Sequence, residues 1–518
     1  MKKFLLSLAF LPFMASAQTL IDGIYYNLIS KMKQAEVTNV SGNYYSGDVE
    51  IPSTVTYEDV EYTVTSIKAS AFLWCENLKS VTIPNTVKTI GESAFYKCTS
   101  LNSVKLGTGV TSIGEDAFNG DLKIRTVSIY DFEAWCKIEF KSKASNPMLY
   151  GDFLYLNDMQ VKAPKIPDSV TSIGDFAFIG CSHFVSVTIP NTVTSIGRYA
   201  FESCDSLTSI SIPGSVETIG DFAFNECKKV TSLTISDGVK SIGKYAFGSC
   251  EGVTSLSIPN SVKSIGDDAF AGCNGITSVT FGNGLSSIGD YAFLECVGMP
   301  SAIIPEGVTR IGEGAFKGCS AISKLSLPSS LKELDPLAFA ECPNLTNVYC
   351  YAEELPYTKR NALNWETPYI TDLFKDSYIE YATLYVPETA IDAYKEIETW
   401  NGFGTIKTLS GEIPVTPKCA TPTIINLNGK LMFYCETEDV KYDYSIVLSV
   451  EGSDQNITLP KSCKISVIAT KEGYEPSDPF MIEVDMSYLI GKLGDVNKDG
   501  VVNGTDIQEV INIIVEGE

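Results

Sequence analysis

Histidine is nearly absent from this sequence, since His183 is the only one among 518 residues. A metal site that depends on two imidazoles is therefore excluded. We interpret His183, which follows Cys181 and Ser182, as a surface turn residue whose hydrogen bonds are satisfied. A glycine-rich loop that could cradle phosphate is also missing, and no nucleophile is paired with a base. The sequence therefore predicts a protein that is not an enzyme.

Positive charge is scarce as well. The chain has 39 Lys and Arg against 63 Asp and Glu, which gives a net charge of -24. Such a surface repels the phosphate backbone of nucleic acids and anionic lipid, so we expect no nucleic-acid partner. Apolar residues are not scarce, because they make up 44% of the chain, and this excludes a disordered protein.

Long apolar runs are missing beyond the first residues of the chain. Lys2 and Lys3 precede an apolar run over residues 4–14, and Ala15-Ser16-Ala17 follows it. This order is typical of a secretory signal peptide, predicted here at residues 1–17. The run is too short to anchor a folded protein in a membrane. We therefore expect a secreted or cell-surface protein with no transmembrane segment after signal removal.

The chain does have a strict internal repeat. The pattern I-G-x-x-A-F-x-x-C recurs every 23 residues, apart from one step of 60 residues. A fixed period of this length indicates a solenoid of stacked coils. The phenylalanines of the pattern are Phe72, Phe95, Phe118, Phe178, Phe201, Phe224, Phe247, Phe270, Phe293, Phe316 and Phe339.

One repeat contains a strand and a return turn. In the segment L-x-x-V-x-I, Leu78, Val81 and Ile83 lie on one side of an extended chain, and Pro84 ends that strand. The later apolar positions are three to five residues apart, which predicts a 3₁₀ or irregular return turn. Gly91 and its equivalents are predicted to adopt a backbone angle that other residues resist. Stacked coils would share one core.

The whole motif L-x-x-V-x-I-P-x-x-V-x-x-I-G-x-x-A-F-x-x-C resembles the BspA-like subclass of leucine-rich repeat, over about residues 49–409. The resemblance implies a repeat solenoid of short parallel strands with 3₁₀ or irregular return turns. We predict an N-terminal cap at 18–66, repeats at 67–350 and a C-terminal cap at 351–410. The long step contains 37 extra residues, and we predict that a segment at about 121–160 leaves the solenoid.

The pattern changes after the solenoid. Residues 411–422 contain three prolines and are predicted to be a linker. Residues 423–486 alternate with a period of two, and Asn428-Gly429 is typical of a hairpin turn. We predict a small all-β sandwich of the immunoglobulin-like kind at 423–486.

The end of the chain has the spacing of a calcium loop. Calcium needs six to eight oxygen ligands, and a turn at Gly500 would place such ligands around one ion. The segment 494–518 resembles a single dockerin repeat, although a full dockerin has two. It would form a loop-helix calcium module. This module would either serve as a stabilising or self-pairing end of the chain or bind a cohesin-like partner. The alternative to calcium binding is a plain turn that happens to fit the spacing. The predicted Ca²⁺ ligands are Asp495, Asn497, Asp499, the Val501 carbonyl, Asn503 and Asp506.

Ten of the fifteen cysteines occupy one inward position of the repeat. Equivalent positions in stacked coils point the same way rather than toward each other, so we predict a ladder of buried free thiols. The sequence does not decide the disulfide state of the other five. These are Cys136, Cys350, Cys419, Cys435 and Cys463.

The outward positions of the strands are the predicted binding face. They form columns of hydroxyl groups, which could bind a protein strand or a glycan or could simply keep an exposed sheet soluble. Aromatic residues are predicted there only at Tyr349 and Tyr351, so a glycan is not strongly favoured. The columns are Ser186, Thr188, Ser209, Ser211, Ser232, Thr234, Ser255, Ser257, Ser278 and Thr280.

The resemblance adds an expectation about function. BspA-like proteins are associated with attachment to host matrix proteins and to other cells, which implies a non-enzymatic adhesion protein. Its partner would be a host matrix protein, a bacterial surface protein or a glycan. The dockerin-like end implies an alternative, an accessory component of an extracellular assembly for polysaccharide catabolism.

Overall fold

The computed structural model describes residues 18–39, 42, 44–357 and 373–409, and strands between residues 423 and 485. The chain folds as two compact units, Met1–Leu409 and Ser410–Glu518. The predicted signal peptide, the linker and the calcium loop lie outside the described residues.

The first unit is a solenoid in which most coils contribute one longer strand. We call these the long strands, and equivalent strands of neighbouring coils pair in parallel. They form four sheets. The sheets contain Gly47–Glu50, Leu78–Ile83, Ser103–Leu106, Thr126–Ile129, Phe153–Leu156 and Met159–Gln160; Ser209–Ile212 and Ser232–Ile235; Ser255–Ile258 and Ser278–Phe281; and Ser301–Ile303, Lys324–Leu327, Asn347–Cys350, Thr383–Val386 and Thr405–Thr408.

A second wall is built from strands of two residues, the short strands, which come before the glycine of the motif. One sheet contains the N-terminal strands Thr19–Ile21, Ile24–Ile29, Gln34–Thr38, Thr54–Tyr57 and Val60–Ile67, followed by Thr89–Ile90, Ser112–Ile113 and Glu139–Phe140. The other contains Ser172–Ile173, Ser195–Ile196, Thr218–Ile219, Ser241–Ile242, Ser264–Ile265, Ser287–Ile288, Arg310–Ile311 and Glu333–Leu334.

The A-F turn forms a third hydrogen-bonded column. The backbone N–H of Phe95 donates to the carbonyl of Ala117 in the next coil, at 2.7 Å. The backbone N–H of Lys97 donates to the carbonyl of Asn119 at 2.8 Å. Non-glycine residues adopt positive φ here, such as Ser93 at 52°. The turn is closed by bonds three residues apart, which confirms the predicted return turn.

The repeat phenylalanines stack along the core. The ring centroids of Phe201 and Phe224 are 5.0 Å apart, and those of Phe224 and Phe247 are 5.5 Å apart, with nearly parallel planes. All three side chains are fully buried. At the two ends, the tilted ring of Tyr45 contacts Phe72, and Phe374 stacks on Phe339. The predicted solenoid core is therefore confirmed.

The ten repeat cysteines are buried and free, as predicted. From Cys204 onward, each thiol donates to the carbonyl of the phenylalanine 26 residues earlier; Cys273, for example, donates to Phe247 over 3.2 Å. Each thiol therefore fills core volume and satisfies a buried carbonyl. Cys136 and Cys350 are also free and buried.

Glycine occurs in the I-G pair for a different physical reason from the one predicted. Gly91 and its equivalents do not adopt positive φ. Gly314 does, but it occupies a different position of the repeat. A β-carbon on Gly91 would lie 2.3 Å from the backbone N of Ala69, and one on Gly220 would lie 2.7 Å from the Gly197 carbonyl carbon. Glycine is required here because the backbones of adjacent coils approach closely.

The segment 121–160 carries an additional coil instead of leaving the solenoid. Its strand Thr126–Ile129 pairs in parallel with Ser103–Leu106 on one side and with Phe153–Leu156 on the other. Glu139–Phe140 pairs in parallel with Ser112–Ile113. The extra residues were predicted to lie outside because they lack the repeat motif, yet their backbone keeps the register of the stack.

Regular helix is rare among the described residues of the solenoid. The α-helices are Phe132–Cys136 in the additional coil and Ile391–Glu396 and Glu398–Asn401 near the C-terminal end. The 3₁₀ helices are Lys143–Ser145, Pro147–Leu149 and Ile379–Tyr381. The Trp400 and Phe403 rings contact Phe374, so the C-terminal helices cover the end of the phenylalanine stack.

The second unit contains antiparallel strands. Thr423–Leu427 pairs with Lys430–Tyr434, and Glu451–Ser453 pairs with Asn456–Thr458. Lys441–Val447, Ser462–Thr470 and Phe480–Asp485 form a three-stranded sheet. These strands agree with the predicted period of two, while the immunoglobulin-like assignment stays a prediction.

One ladder position carries a carboxyl group. Asp121 stands where other repeats have cysteine, and its side chain is fully buried. Burial raises the pKa of the Asp121 carboxyl to about 8, although the backbone of Cys98 acts in the opposite direction. Below about pH 4 the carboxyl is protonated in both the folded and the unfolded chain. Between about pH 4 and pH 8 only the unfolded chain ionises, so the solenoid loses stability as the pH rises.

Replacing Asp121 with cysteine should therefore stabilise the protein at neutral pH. The stability of the wild type should fall relative to Asp121→Cys by up to about 1.4 kcal/mol per pH unit across that range. Urea unfolding of both proteins at pH 5 and pH 8 measures the difference, with the exposed Asp205→Asn as control. A difference that does not change with pH would contradict the assignment of a raised pKa.

The phenylalanine stack makes a second prediction. Phe247→Ala removes a ring that contacts Phe224 at 5.5 Å and Phe270 at 5.4 Å, and we expect a loss of about 3–5 kcal/mol in the free energy of unfolding. Tyr44→Ala, at a side chain that is 66% exposed, should change it by less than about 0.5 kcal/mol. Equal effects of the two changes would show that the stack does not stabilise the solenoid.

Candidate functional site

Eight of the ten predicted hydroxyl positions lie on the outer side of the long strands, while Ser186 and Thr188 lie outside them, and we call the ten positions together the hydroxyl face. It consists of the ten Ser and Thr positions named above. The strand alternation buries Ile210 and Ile212 and leaves Ser209 and Ser211 exposed. Neighbouring coils align them, because Ser209 pairs with Ser232 and Ser211 pairs with Thr234. Eight of the ten side chains are exposed, while Ser186 and Thr280 are partly buried.

The hydroxyl groups of this face differ from those of the threonines beside it. In the adjacent column, Thr208 and Thr231 donate to the carbonyl of the residue 23 positions earlier, at 3.2 and 3.3 Å. On the face itself, Thr280 donates to Ser257 at 3.1 Å. Within the described part of the chain, the exposed serines from Ser209 to Ser255 have no side-chain hydrogen bond. Their donors and acceptors are available to a ligand.

The structure does not bring all the predicted positions into one sheet. Ser209 to Thr234 lie on one pair of strands, and Ser255 to Thr280 lie on another. Thr188 makes only an isolated bridge with Lys165, and Ser186 lies outside the named strands. The two strand pairs are therefore the best-ordered part of the hydroxyl face.

An aromatic pair stands at the C-terminal end of this wall. Tyr349 and Tyr385 lie on paired strands, and their rings stack with centroids 4.6 Å apart. The Nζ of Lys324 lies 5.5 Å from the Tyr349 centroid. Tyr351, also predicted here, is partly buried. Sequence reasoning missed Tyr385 because it falls outside the 23-residue phase, although the alternation T-L-Y-V was a signal of a strand.

The groups with reactive potential are held in unreactive states. Burial lowers the pKa of His183 to about 4, and its Nε2 accepts a hydrogen bond from Leu154 N at 3.1 Å. His183 thus lies in a turn and is hydrogen-bonded, as predicted, although its side chain is partly buried. Burial raises the pKa of Cys273 and Cys342 to about 12, so these thiols stay protonated at neutral pH.

The described residues contain neither a metal cluster nor a membrane-spanning helix. No three side chains of His, Cys, Asp or Glu are grouped so that they could hold a metal ion. None of the helices described has the length and apolar character needed to cross a membrane. The predicted calcium ligands, from Asp495 to Asp506, fall outside the described part of the chain.

Several solved structures are similar to this chain. A leucine rich cell surface protein from Faecalibacterium prausnitzii is 30% identical, and the match covers 64% of this chain and 94% of that one, with a TM-score of 0.44. A leucine-rich repeat protein from Bacteroides ovatus is 26% identical, with the same coverages and a TM-score of 0.42. The pneumococcal vaccine antigen PcpA is 15% identical and covers 77% and 99%, with a TM-score of 0.40. Comparison with curated proteins gives no match.

The family of the chain is shown by a match to a family profile. The profile described as BspA type leucine rich repeat region matches in six copies, over residues 52–142, 150–276 and 240–364. These ranges make up more than half of the sequence and coincide with the stacked coils of the solenoid. The chain therefore belongs to the BspA type leucine rich repeat family.

Proposed function

We propose that this chain is an extracellular, non-enzymatic binding protein that attaches to a macromolecule through the hydroxyl face. The observation that supports this most is the set of exposed hydroxyl groups in parallel register on the two strand pairs. The partner is a host matrix protein, a bacterial surface protein or a glycan. Attachment of this kind is what family membership leads us to expect, and the signal-like start of the chain favours export.

The geometry suits an extended partner. Equivalent hydroxyls recur with each coil, at the spacing of about 4.8 Å between paired strands. Ser232 and Thr234 lie on the same side of one strand, so each coil presents two hydroxyls. Each hydroxyl can both donate and accept a hydrogen bond. A partner whose polar groups recur along its length can therefore bond to several coils at once.

Charge does not oppose such a partner locally. The ten positions of the hydroxyl face are all uncharged, although the whole chain has a net charge of -24. Desolvating a hydroxyl costs much less than desolvating a carboxylate. The hydroxyl face is thus a surface of this acidic solenoid that a partner can cover at low cost.

Arginines placed on the face test this proposal. The double variant Ser211→Arg and Ser257→Arg should fold normally, because both positions are exposed, and should weaken solid-phase binding to immobilised matrix proteins or glycans at least about tenfold. The matched control is Thr218→Arg, an exposed threonine of a short strand. If the control weakens binding and the double variant does not, the partner contacts another surface of the solenoid and the proposal is contradicted.

We further propose that the segment 494–518 binds Ca²⁺ through the six ligands named from the sequence. The alternating Asp and Asn residues around Gly500 support this proposal. The bound segment would serve as a stabilising or self-pairing end module. Its use as a tag for a cohesin-like partner is the alternative, in which the chain is an accessory component of an extracellular polysaccharide-degrading assembly.

Calcium titration of the full chain by calorimetry tests this module. The wild type should bind one Ca²⁺, and the double variant Asp495→Ala and Asp499→Ala should lose that binding, because two carboxylate ligands are removed. The double variant Asp205→Ala and Asp237→Ala, which changes exposed carboxylates of the solenoid, should bind as the wild type does. A pull-down from secreted bacterial proteins, with and without Ca²⁺, separates the two roles, since only the tag would retain a cohesin.

A further inference from the structure

A cleft opens where the additional coil meets the next regular coil. It has a volume of about 540 Å³ and lies between the segment around Glu139–Phe140 and the segment around Ser172–Ile173. These two short strands are not paired with each other, so the short-strand wall is divided there into two sheets. The volume lies in the range typical of sites for small ligands.

Side chains take over the role of the backbone at this junction. The Nε1 of Trp135 donates to the carbonyl of Ala177 at 3.0 Å, and the amide of Asn146 donates to the carbonyls of Phe176 and Ala177 at 2.8 and 3.1 Å. The N–H of Leu154 donates to His183. These bonds link the two coils, whose short strands are not paired with each other.

The cleft consequently presents backbone donors on one edge. In the next coil, Thr194 N donates to the carbonyl of Thr171 and Gly197 N to that of Ile173, each at 2.8 Å. The equivalent N–H groups of Thr171 and Gly174 make no such bond in the described structure. Both residues line the cleft, so their N–H groups are donors that a ligand there can use.

The opposite edge presents backbone acceptors. The backbone carbonyl of Thr111 accepts a hydrogen bond from the backbone N–H of Glu139 at 2.9 Å. That of Ile113 accepts one from the backbone N–H of Lys141 at 3.1 Å. In the additional coil the equivalent carbonyls belong to Ile138 and Phe140, and no backbone N–H of the described residues reaches them. A ligand in the cleft therefore meets acceptors on one side and donors on the other.

The space beside Gly174 is specific to this cleft. A β-carbon on Gly174 would meet only the carbonyl oxygen of Ile138, at 3.9 Å. On Gly197, in the next coil, it would lie 2.5 Å from the backbone N of Asp175. The two coils are therefore farther apart at Gly174 than the next two coils are at Gly197. An inserted peptide strand would need two strand spacings, about 9.6 Å in all, and the Ile138 oxygen is too close to Gly174 for that.

The charged rim does not select an anion. Arg198 pairs with Asp175 at 2.9 Å, and Lys141 pairs with Glu139. A sulfate or carboxylate would satisfy the N–H groups, would leave the carbonyls of Ile138 and Phe140 unpaired, and would approach the rim carboxylates. Exposed ion pairs of this kind contribute little to stability, so their polar atoms can be shared with a ligand.

We propose that this cleft is a binding site for one neutral saccharide residue. The vicinal hydroxyls of a sugar ring donate and accept within a few ångströms, which matches the two edges of the cleft. Phe176 also lines the cleft, but its side chain is buried and stacks on Tyr199 with ring centroids 5.4 Å apart, so recognition depends on the two polar edges. The site lies on the short-strand wall, so it is separate from the hydroxyl face and does not depend on its proposed function.

Titration of the full chain with neutral oligosaccharides of glucose, galactose, mannose and xylose, followed by saturation-transfer NMR, tests the site. At least one of them should bind to the wild type. Gly174→Val should weaken that binding at least about tenfold with the melting temperature unchanged, because its side chain enters open space. Thr171→Tyr, at an exposed position on the rim, fills the cleft independently and should have the same effect.

Matched controls separate this site from the others. Lys240→Ala breaks an exposed pair with Glu217 that is 2.9 Å long and lies away from the cleft, and it should bind sugar as the wild type does. The arginine variants of the hydroxyl face should do the same. Absence of binding to every neutral sugar, or binding that neither Gly174→Val nor Thr171→Tyr weakens, would overturn the proposal. So would binding restricted to polygalacturonate or sulfated oligosaccharides.

Discussion

The structure depends on one constraint, which is that each coil must return to the same phase so that its backbone bonds to the preceding coil along three columns. Ser209 pairs with Ser232 in the long strands and Ile219 with Ile242 in the short strands. In the turn, Phe224 N donates to the carbonyl of Ala246 at 2.8 Å. A change of phase in one column would break the other two, and this explains why the 23-residue period is kept over so many repeats.

The identity of the core side chains follows from this constraint. Because equivalent positions meet in space, a residue that suits one coil must also suit a copy of itself about 5 Å away. Phenylalanine does so by stacking, and cysteine does so by donating to the carbonyl of an earlier phenylalanine. Asp121 does not, since both oxygens of its carboxyl are buried without a hydrogen-bond partner among the described residues and burial raises its pKa. A solenoid core thus tolerates fewer residue types than a globular core of the same size.

What could be predicted from the sequence is what a single repeat determines. The strand alternation, the phenylalanine column and the free thiols all follow from the motif and its copies. The reason for Gly91 was predicted wrongly, because residue type alone does not distinguish an unusual backbone angle from a close approach of two backbones. Tyr385 and the bonds of Trp135 and Asn146 depend on contacts between segments that no period relates, so sequence reasoning could not find them.

The relation between regular and irregular coils also bears on recognition. A wall in which every coil repeats the last can offer only a periodic surface, such as the hydroxyl face, and a periodic surface suits an extended partner. A concave site with its own arrangement of donors and acceptors requires a place where the backbone columns are interrupted. The additional coil provides such a place, since Trp135, Asn146 and His183 hold it to its neighbour while the two short strands at the cleft are not paired with each other. The residues that break the repeat are therefore those that give this solenoid a second kind of surface.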